Sequence, residues 1–469
     1  MGSARCLREG PSATTMSTPF NLVTRLTEER DRGVIVWLLN IGAEKYWNPV
    51  QAGVVDRGED RIVGRVEEMN LLLCREQDIL ILRAMPDPYY LDKLREWGFS
   101  IPRIRVPKEP DPWTPISELV LRDEELLTYL SAVAEANDDV RFVPYAVTRL
   151  EEQIAARCGL RLAAASSVVN AAVNDKIFNR EVAVTLELPV CQGRVCGSAE
   201  EIGQAYAELT EQPPYFERVI IKEPFGASGK GLYIVDSPDK LRPILLRVSR
   251  FAKKNPQAQW LVEGWYDKQA DVNYQLYVAE DGGVDVFSIK QQVLRDTVYI
   301  GSRMPVQLEE GALVRYREFG EAIGKHLHAI GYTGVAGIDS IITRDGEFIP
   351  IIEINGRFTL STYISFLERV IGEAKVFSRY FKIATDEPVD FRAICERLER
   401  EQLLYSRVSG EGVLVYTSGT LPMVMDESSG KYPGRVFTLI VARDWERVEE
   451  IGSRLEPLLD SWQHQEQVV

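Results

Sequence analysis

Over the first third of the chain, unbroken apolar runs alternate with stretches of helical periodicity. Residues 34–39 (VIVWLL) are wholly apolar and 78–82 (DILIL) nearly so, the pattern of parallel strands buried on both sides. Residues 87–97 after the second run are periodic like a helix, and strand 141–144 followed by helix 148–157 repeats that order. The alternation over 33–165 predicts a small open α/β domain. From Asn170 the texture changes. A helical stretch carrying Asp175 and Lys176 runs to Leu188-Pro189, where proline breaks it. Helix 199–211, strand 218–222, a glycine-rich loop, basic helix 241–254 and strand 259–263 follow. Strands and turns fill the chain to Arg303, then come helix 314–330 and a strong hairpin over 337–355. Beyond Phe377 lie a connecting segment, helical at 391–404, strands 412–417 and 436–442, and helix 445–458. This last part reads as a small closing α/β unit.

A chain of 469 residues exceeds one ordinary core, so two to four domains are expected. The predicted divisions are a disordered leader (1–32), an α/β domain (33–165), a central domain (166–376) and a connecting helix with a small C-terminal domain (377–469). No apolar run is long enough to span a membrane, and the first twenty residues lack the apolar stretch of a secretory signal, so a cytoplasmic protein is expected. Whether those residues belong to the native start does not follow from the sequence. The net charge of −15 argues against non-specific binding to nucleic acid or anionic membrane, although local Lys and Arg clusters can still hold an anionic ligand. Cys191 and Cys196 are close together but have no second pair to complete a zinc site. With His326, His328 and His464 as the only histidines, neither a histidine-rich metal centre nor a triad is expected.

Two segments carry chemistry. Lys222-Glu-Pro-Phe-Gly-Ala-Ser-Gly-Lys-Gly231 lies between two strands, and its glycines let several N–H groups face one anion while Lys222 and Lys230 add charge. It is not a P-loop, because the spacing differs and no Ser or Thr follows the lysine. An ordinary glycine-rich turn explains the segment about as well. The second is the hairpin 337–357. Arg344-Asp345-Gly346 suits a three-residue loop, which pairs Thr343 with Glu347 and Asp339 with Ile351. Alternation then puts Asp339, Glu353 and Asn355 on one face, with Glu353 a diagonal neighbour of Asp339. Two carboxylates and an amide oxygen suit magnesium, a hard cation usually shared with substrate phosphates. A solvated polar face is the alternative, but Ile338, Ile341, Ile352 and Ile354 make these strands look buried. Arg357 completes E-x-N-x-R and suits a carboxylate or acyl phosphate, or a salt bridge to Glu353.

Lys176 in N-D-K, Lys222 with its glycine-rich loop, the strand ending Val262-Glu263 and the D…E-x-N-x-R set occur in an order that resembles the ATP-grasp superfamily, over roughly 170–370. The resemblance implies two α+β subdomains clasping ATP, preceded here by the open α/β (pre-ATP-grasp) domain and followed by the small α/β domain. It implies that Lys176 and Lys222 contact the ATP phosphates and adenine region. Gly226, Ala227, Ser228, Gly229, Lys230 and Gly231 would close over the phosphates. Leu261, Val262 and Glu263 would meet adenine, and Asp271, where D-K-Q-A-D replaces the usual Gly-x-Glu, would meet the ribose. Asp339, Glu353 and Asn355 would hold two magnesium ions. The flanking domains resemble those of antibiotic-pathway members, the pheganomycin-type peptide ligases and the butirosin-type ligases that load glutamate on a carrier protein.

The implied reaction activates a carboxylate as an acyl phosphate with release of ADP and joins it to an amine or peptide. Lys290, Arg295 and Arg303 are candidates to face the acceptor and carboxylate, solvated charges being the plainer reading. Three alternatives stay open: loading of a carrier-protein thiol, a kinase acting on a hydroxyl, and a non-catalytic ATP-binding module. The acyl donor, the acceptor and the oligomeric state do not follow, a homodimer being compatible with the sequence.

Overall fold

The computed structural model describes residues 20–27, 33–47, 57–109, 111–225, 231–295 and 298–461. Strands β1 (Val34–Leu38), β2 (Ile79–Ile81), β3 (Arg103–Arg105), β4 (Val140–Pro144) and β5 (Arg161–Leu162) form a parallel sheet in the order β3-β2-β1-β4-β5. Every residue of β1, β2 and β4 is buried, as their unbroken apolar runs require. Two helices absent from the sequence reading, Ile116–Arg122 and Glu124–Ala136, lie between β3 and β4. Asp123 ends the first and caps the second, accepting from Leu126 N at 3.0 Å.

The expected leader needs a correction. Within it, Leu22–Leu26 is a short helix with Leu22, Val23 and Leu26 buried, and Phe20 stacks on Phe287 at 5.0 Å between centroids. The apolar side chains of this segment find a surface on the central domain that no local pattern announces. Residues 1–19 and 28–32 lie outside the described part.

The second sheet is antiparallel, in the order β6-β9-β7-β8, from β6 (Gly193–Cys196), β7 (Val219–Lys222), β8 (Leu232–Val235) and β9 (Trp260–Gly264). Helices Ala199–Glu211 and Pro238–Lys254 cover one face, over a core that includes Ile202, Leu209, Ile221, Val248 and Val262. The opposite face carries Lys222, Leu261 and Glu263.

The third sheet has eight strands, all paired antiparallel. They are β10 (Lys268–Val278), β11 (Val284–Arg295), β12 (Val298–Met304), β13 (Gly334–Thr343), β14 (Phe348–Asn355), β15 (Lys375–Thr385), β16 (Gly412–Val415) and β17 (Tyr432–Ala442). Their order is β14-β13-β10-β11-β12-β15-β17-β16. The closing strands therefore make no sheet of their own: β15 pairs with β12 and carries β17 and β16 outward. Helix Glu310–Ala329 covers β10 and β11 with Tyr316, Ile323 and Leu327 buried. The C-terminal strands also lock onto the first domain. Tyr90 Oη donates to Tyr416 O at 2.7 Å, and the buried Glu68 carboxylate accepts from the backbone N–H groups of Ser418 and Gly419. Among the described residues no helix is long and apolar enough to cross a membrane.

Candidate active site

One face of the large sheet is polar across four strands. Lys290 on β11 pairs with Asn273 on β10, Asn273 with Asp339 on β13, and Asp339 with Glu353 on β14. Residues directly opposite share a face, so these four side chains form one row. Gln292, Asp271, Gln275 and Asn355 extend the same face on either side. The opposite face of β10 carries Val272, Tyr274 and Leu276 in the core under helix Glu310–Ala329.

The hairpin differs from its expected register at one point. At the turn the expectation holds: Thr343 N donates to Glu347 O at 2.9 Å, and Gly346 takes φ +83°. Between Asp339 and Ile341 the ladder shifts, so that Asp339 faces Glu353 and not Ile351. Pro350 explains the shift. It has no N–H to give the ladder, and β14 is an edge strand, where such bulges are tolerated. The displaced carbonyls find other donors, Tyr274 Oη to Pro350 O and Ser340 Oγ to Ile349 O, both at 2.8 Å. The offset is an even number of residues, so the shared face survives.

Asp339 is held from three sides. Asn273 Nδ2 and Gln292 Nε2 each donate to Oδ1 at 2.8 Å, and Asn355 Nδ2 donates to Oδ2 at 3.3 Å. Burial, then the neighbouring Glu353, pushes the Asp339 carboxyl up to about 6. Sequence reasoning missed Asn273 and Gln292. The alternation in Asp271-Val-Asn-Tyr-Gln275 was the available signal, since it marks a strand with one polar face.

The lysines enter from the other side. Asp175 caps helix Lys176–Thr185, accepting from Ile177 N and Phe178 N. Lys176 therefore sits in the first turn, where a cation opposes the helix dipole and an anion is favoured. Its Nζ meets Glu353 Oε1 at 2.8 Å and its backbone N–H donates to Pro224 O at 3.0 Å. Lys222, 5% exposed, meets Glu263 Oε2 at 2.7 Å, while Arg180 from the same helix as Lys176 meets Glu263 Oε1 at 2.8 Å. Burial is the largest influence and opposes the charge on Lys222, but Glu263, Cys191 and Glu353 together outweigh it and the pKa is raised. Arg180 also donates to Cys191 O and Gly193 O, so this helix ties the small sheet to the large one; it too was missed.

The remaining expected residues fall in different places. Gly226, Ala227, Ser228, Gly229 and Lys230 lie outside the described residues, and Gly231 closes the loop at φ +77°. Leu261 is paired with Lys222 and shares its face, whereas Val262 points the other way into the helix-covered core. Asp271 lies on the polar face, bonded to Lys268 Nζ at 2.5 Å. Arg357 is held by the end of the first domain's β4. Its Nη1 donates to Tyr145 Oη at 2.6 Å and to Phe358 O at 3.1 Å, linking the site to the end of β4. Lys290 is on the polar face but wholly buried. Arg303 requires a correction. It pairs with Gln291 and Phe377, which puts it on the reverse face, stacked over Phe377 and Trp445 and bonded to Glu449 at 2.5 Å. The Arg295 side chain lies outside the described residues.

Among the described residues no group of three or more His, Cys, Asp or Glu could hold a metal by itself. Asp339 and Glu353 with the Asn355 amide offer only part of an oxygen shell. That donor set fits magnesium, which keeps waters and shares substrate phosphates, better than a metal needing an all-protein cage.

Three sequence families match the chain in succession: Pre ATP-grasp domain over 66–160, ATP-grasp domain over 201–361 and PGM1 C-terminal domain over 393–455. The likeness to the ATP-grasp domain covers residues 201–361, the stretch that carries Lys222, Glu263, Asp339, Glu353 and Asn355. It is 28% identical over 349 residues to the butirosin acyl-carrier protein–L-glutamate ligase of Niallia circulans, covering 73% of this chain and 75% of that one. It is 24% identical over 343 residues to the L-propargylglycine–L-glutamate ligase of Streptantibioticus cattleyicolor, covering 66% and 70%. Among solved structures, an ADP complex of N5-carboxyaminoimidazole ribonucleotide synthetase aligns with TM-score 0.52 at 14% identity, over 92% of this chain and 98% of that one. The biotin carboxylase domain of Hydrogenobacter thermophilus 2-oxoglutarate carboxylase aligns with TM-score 0.54 at 14% identity, over 92% and 90%. At that identity the likeness is one of fold.

Proposed function

We propose that this chain is an ADP-forming ATP-grasp ligase that activates the carboxylate of an amino acid and joins it to an amine, forming an amide or peptide bond in natural-product biosynthesis. The observation that carries the reading is the opposed pair Asp339–Glu353 with Lys176 and Lys222 facing it from the helix and the small sheet. Carboxylates on one wall and ammonium groups on the other suit a metal-bound polyphosphate. The substrate carboxylate attacks the γ-phosphate, ADP leaves, and the amine displaces phosphate from the acyl phosphate. Asp339, Glu353 and Asn355 would hold the magnesium, two ions being the expected number, and bound metal supplies charge neutralisation at the phosphates. Lys176 and Lys222 bind phosphate oxygens. Arg357, fixed by Tyr145, orients the carboxylate or its acyl phosphate. No side-chain nucleophile is needed, in keeping with the scarcity of histidine. Both relatives are named for L-glutamate, which makes it the first acid to test.

A second reading, loading of a carrier-protein thiol, is favoured by the name of the butirosin relative. The deciding experiment incubates the protein with Mg·ATP, a panel of amino acids including L-glutamate, and amine, peptide or carrier-protein acceptors. ADP and phosphate are measured and products are read by mass spectrometry. An amide supports the first reading and a thioester the second. A phosphorylated hydroxyl, or no ADP with any acid, would overturn both.

A further inference from the structure

Lys290 is 1% exposed and lies in the same row as Asp339, yet no carboxylate meets it among the described residues. Its ammonium donates to Ser288 Oγ at 2.5 Å, Ser361 O at 3.0 Å and Ser365 Oγ at 2.5 Å, all neutral acceptors. Burial alone pushes its pKa down to about 7. An ammonium buried without a counter-charge works against the fold, and methionine would fill similar volume without that cost. Packing does not account for a lysine here.

What Lys290 holds is position. Ser361 lies in helix Leu360–Tyr363, which begins three residues after Arg357, and Ser365 follows in the next turn. A second tie runs from the same helix to the metal-binding carboxylate. Thr362 Oγ1 donates to Gln275 Oε1 at 2.7 Å, Gln275 Nε2 to Asn273 Oδ1 at 2.6 Å, and Asn273 Nδ2 to Asp339 Oδ1 at 2.8 Å. Gly337 makes room for this chain, because a Cβ there would stand 2.7 Å from both Gln275 Nε2 and Thr359 Cγ2. Arg357 itself is gripped on its other side by Tyr145.

We propose that Lys290 is a positioning residue: it clamps the helix following Arg357 onto the strand face that carries Asp339, fixing the distance between guanidinium and carboxylate pair. It acts through Ser361 and Ser365 and touches no substrate. Its effect on turnover rests on the ligase reading; the clamp itself does not.

The test compares Lys290→Met and Lys290→Arg with the parent chain, with Ser365→Ala as a milder variant should the first not fold. Amide hydrogen exchange over 357–365, Mg·ATP affinity by calorimetry and acid-dependent ADP release are measured on each. For Lys290→Met the expected result is exchange over 357–365 at least tenfold faster and Mg·ATP affinity within twofold of the parent. ADP release should fall at least tenfold in kcat, with KM for Mg·ATP nearly unchanged and an equal or higher melting temperature. Lys290→Arg should recover part of kcat, and Ser365→Ala should show the faster exchange in smaller measure. Unchanged exchange over 357–365 would overturn the proposal. So would Mg·ATP affinity falling in step with kcat, which would make Lys290 a nucleotide contact. If the parent chain releases no ADP with any acid, the ligase reading fails while the exchange measurement still decides the clamp.

Discussion

Asp339 and Glu353 stand directly opposite each other across β13 and β14, brought together by a bulge at Pro350. Two carboxylates so placed, both half-buried, repel unless a cation lies between or beside them, and Lys176 is a cation that reaches Glu353. Glu353→Gln is expected to lower ADP release by more than about a hundredfold, beyond the 10–100-fold typical of groups that only orient metal ligands. Its circular dichroism and melting temperature should match the parent. Undiminished turnover would remove the pair from the metal role.

Lys222 and Glu263 make a second prediction, because their ion pair is buried and shared with Arg180. Lys222→Met should weaken Mg·ATP binding at least tenfold, a loss of about 1.4 kcal/mol or more. It should also destabilise the fold, by at most about 3–5 kcal/mol, the cost of breaking a buried pair, with Arg180 left to offset part of the Glu263 charge. Adding Glu263→Gln should restore stability without restoring nucleotide affinity. Recovery of both together would mean that Lys222 serves only the fold.

Arg303 gives a negative control with content. Its guanidinium lies over Phe377 and Trp445 on the reverse face of the sheet, facing helix Trp445–Asp460. Arg303→Ala should cost about 0.5–1 kcal/mol in denaturant unfolding and leave kcat within twofold. A loss of turnover out of proportion to the loss of stability would return Arg303 to the chemistry.

Legibility in the sequence tracked how local each determinant was. β1 and helix Ala199–Glu211 follow from patterns contained within the element, and both were readable. The hairpin was readable from its turn as far as Ile341, and the shift beyond it had a local sign, Pro350, that was passed over. The polar face of β10 was equally local and equally unread. The pairing of β12 with β15 was not legible, because two strands distant in the chain meet edge to edge and neither carries a mark of the other. Arg303 was misplaced for the same reason: its face depends on the register of β11 with β12, which no turn chemistry in the described residues declares. The grip of Tyr145 on Arg357 joins two domains and has no signal in either.

Glu67 supplies a pH-dependent test away from the site. It is fully buried; Oε1 accepts from Arg83 N at 2.6 Å, while Oε2 has no hydrogen bond and meets the Arg83 guanidinium only at 3.9 Å. Burial, opposed by Arg65 and Arg83, pushes its carboxyl from the ordinary 4.5 up to about 8. A folded-state pKa above the unfolded value means the native state holds the proton more tightly. The resulting stabilisation is complete below about 4.5 and is lost as pH rises through about 8. Glu67→Gln keeps the neutral shape and removes the titration. Its unfolding free energy should lie close to the parent's at pH 5 and exceed it at pH 9 by about 1–3 kcal/mol, the usual penalty of an unsatisfied buried polar group. Parallel stability profiles for the two proteins from pH 5 to 9 would show that Glu67 does not titrate there, and would put its charge with Arg65 and Arg83 as a permanent ion cluster.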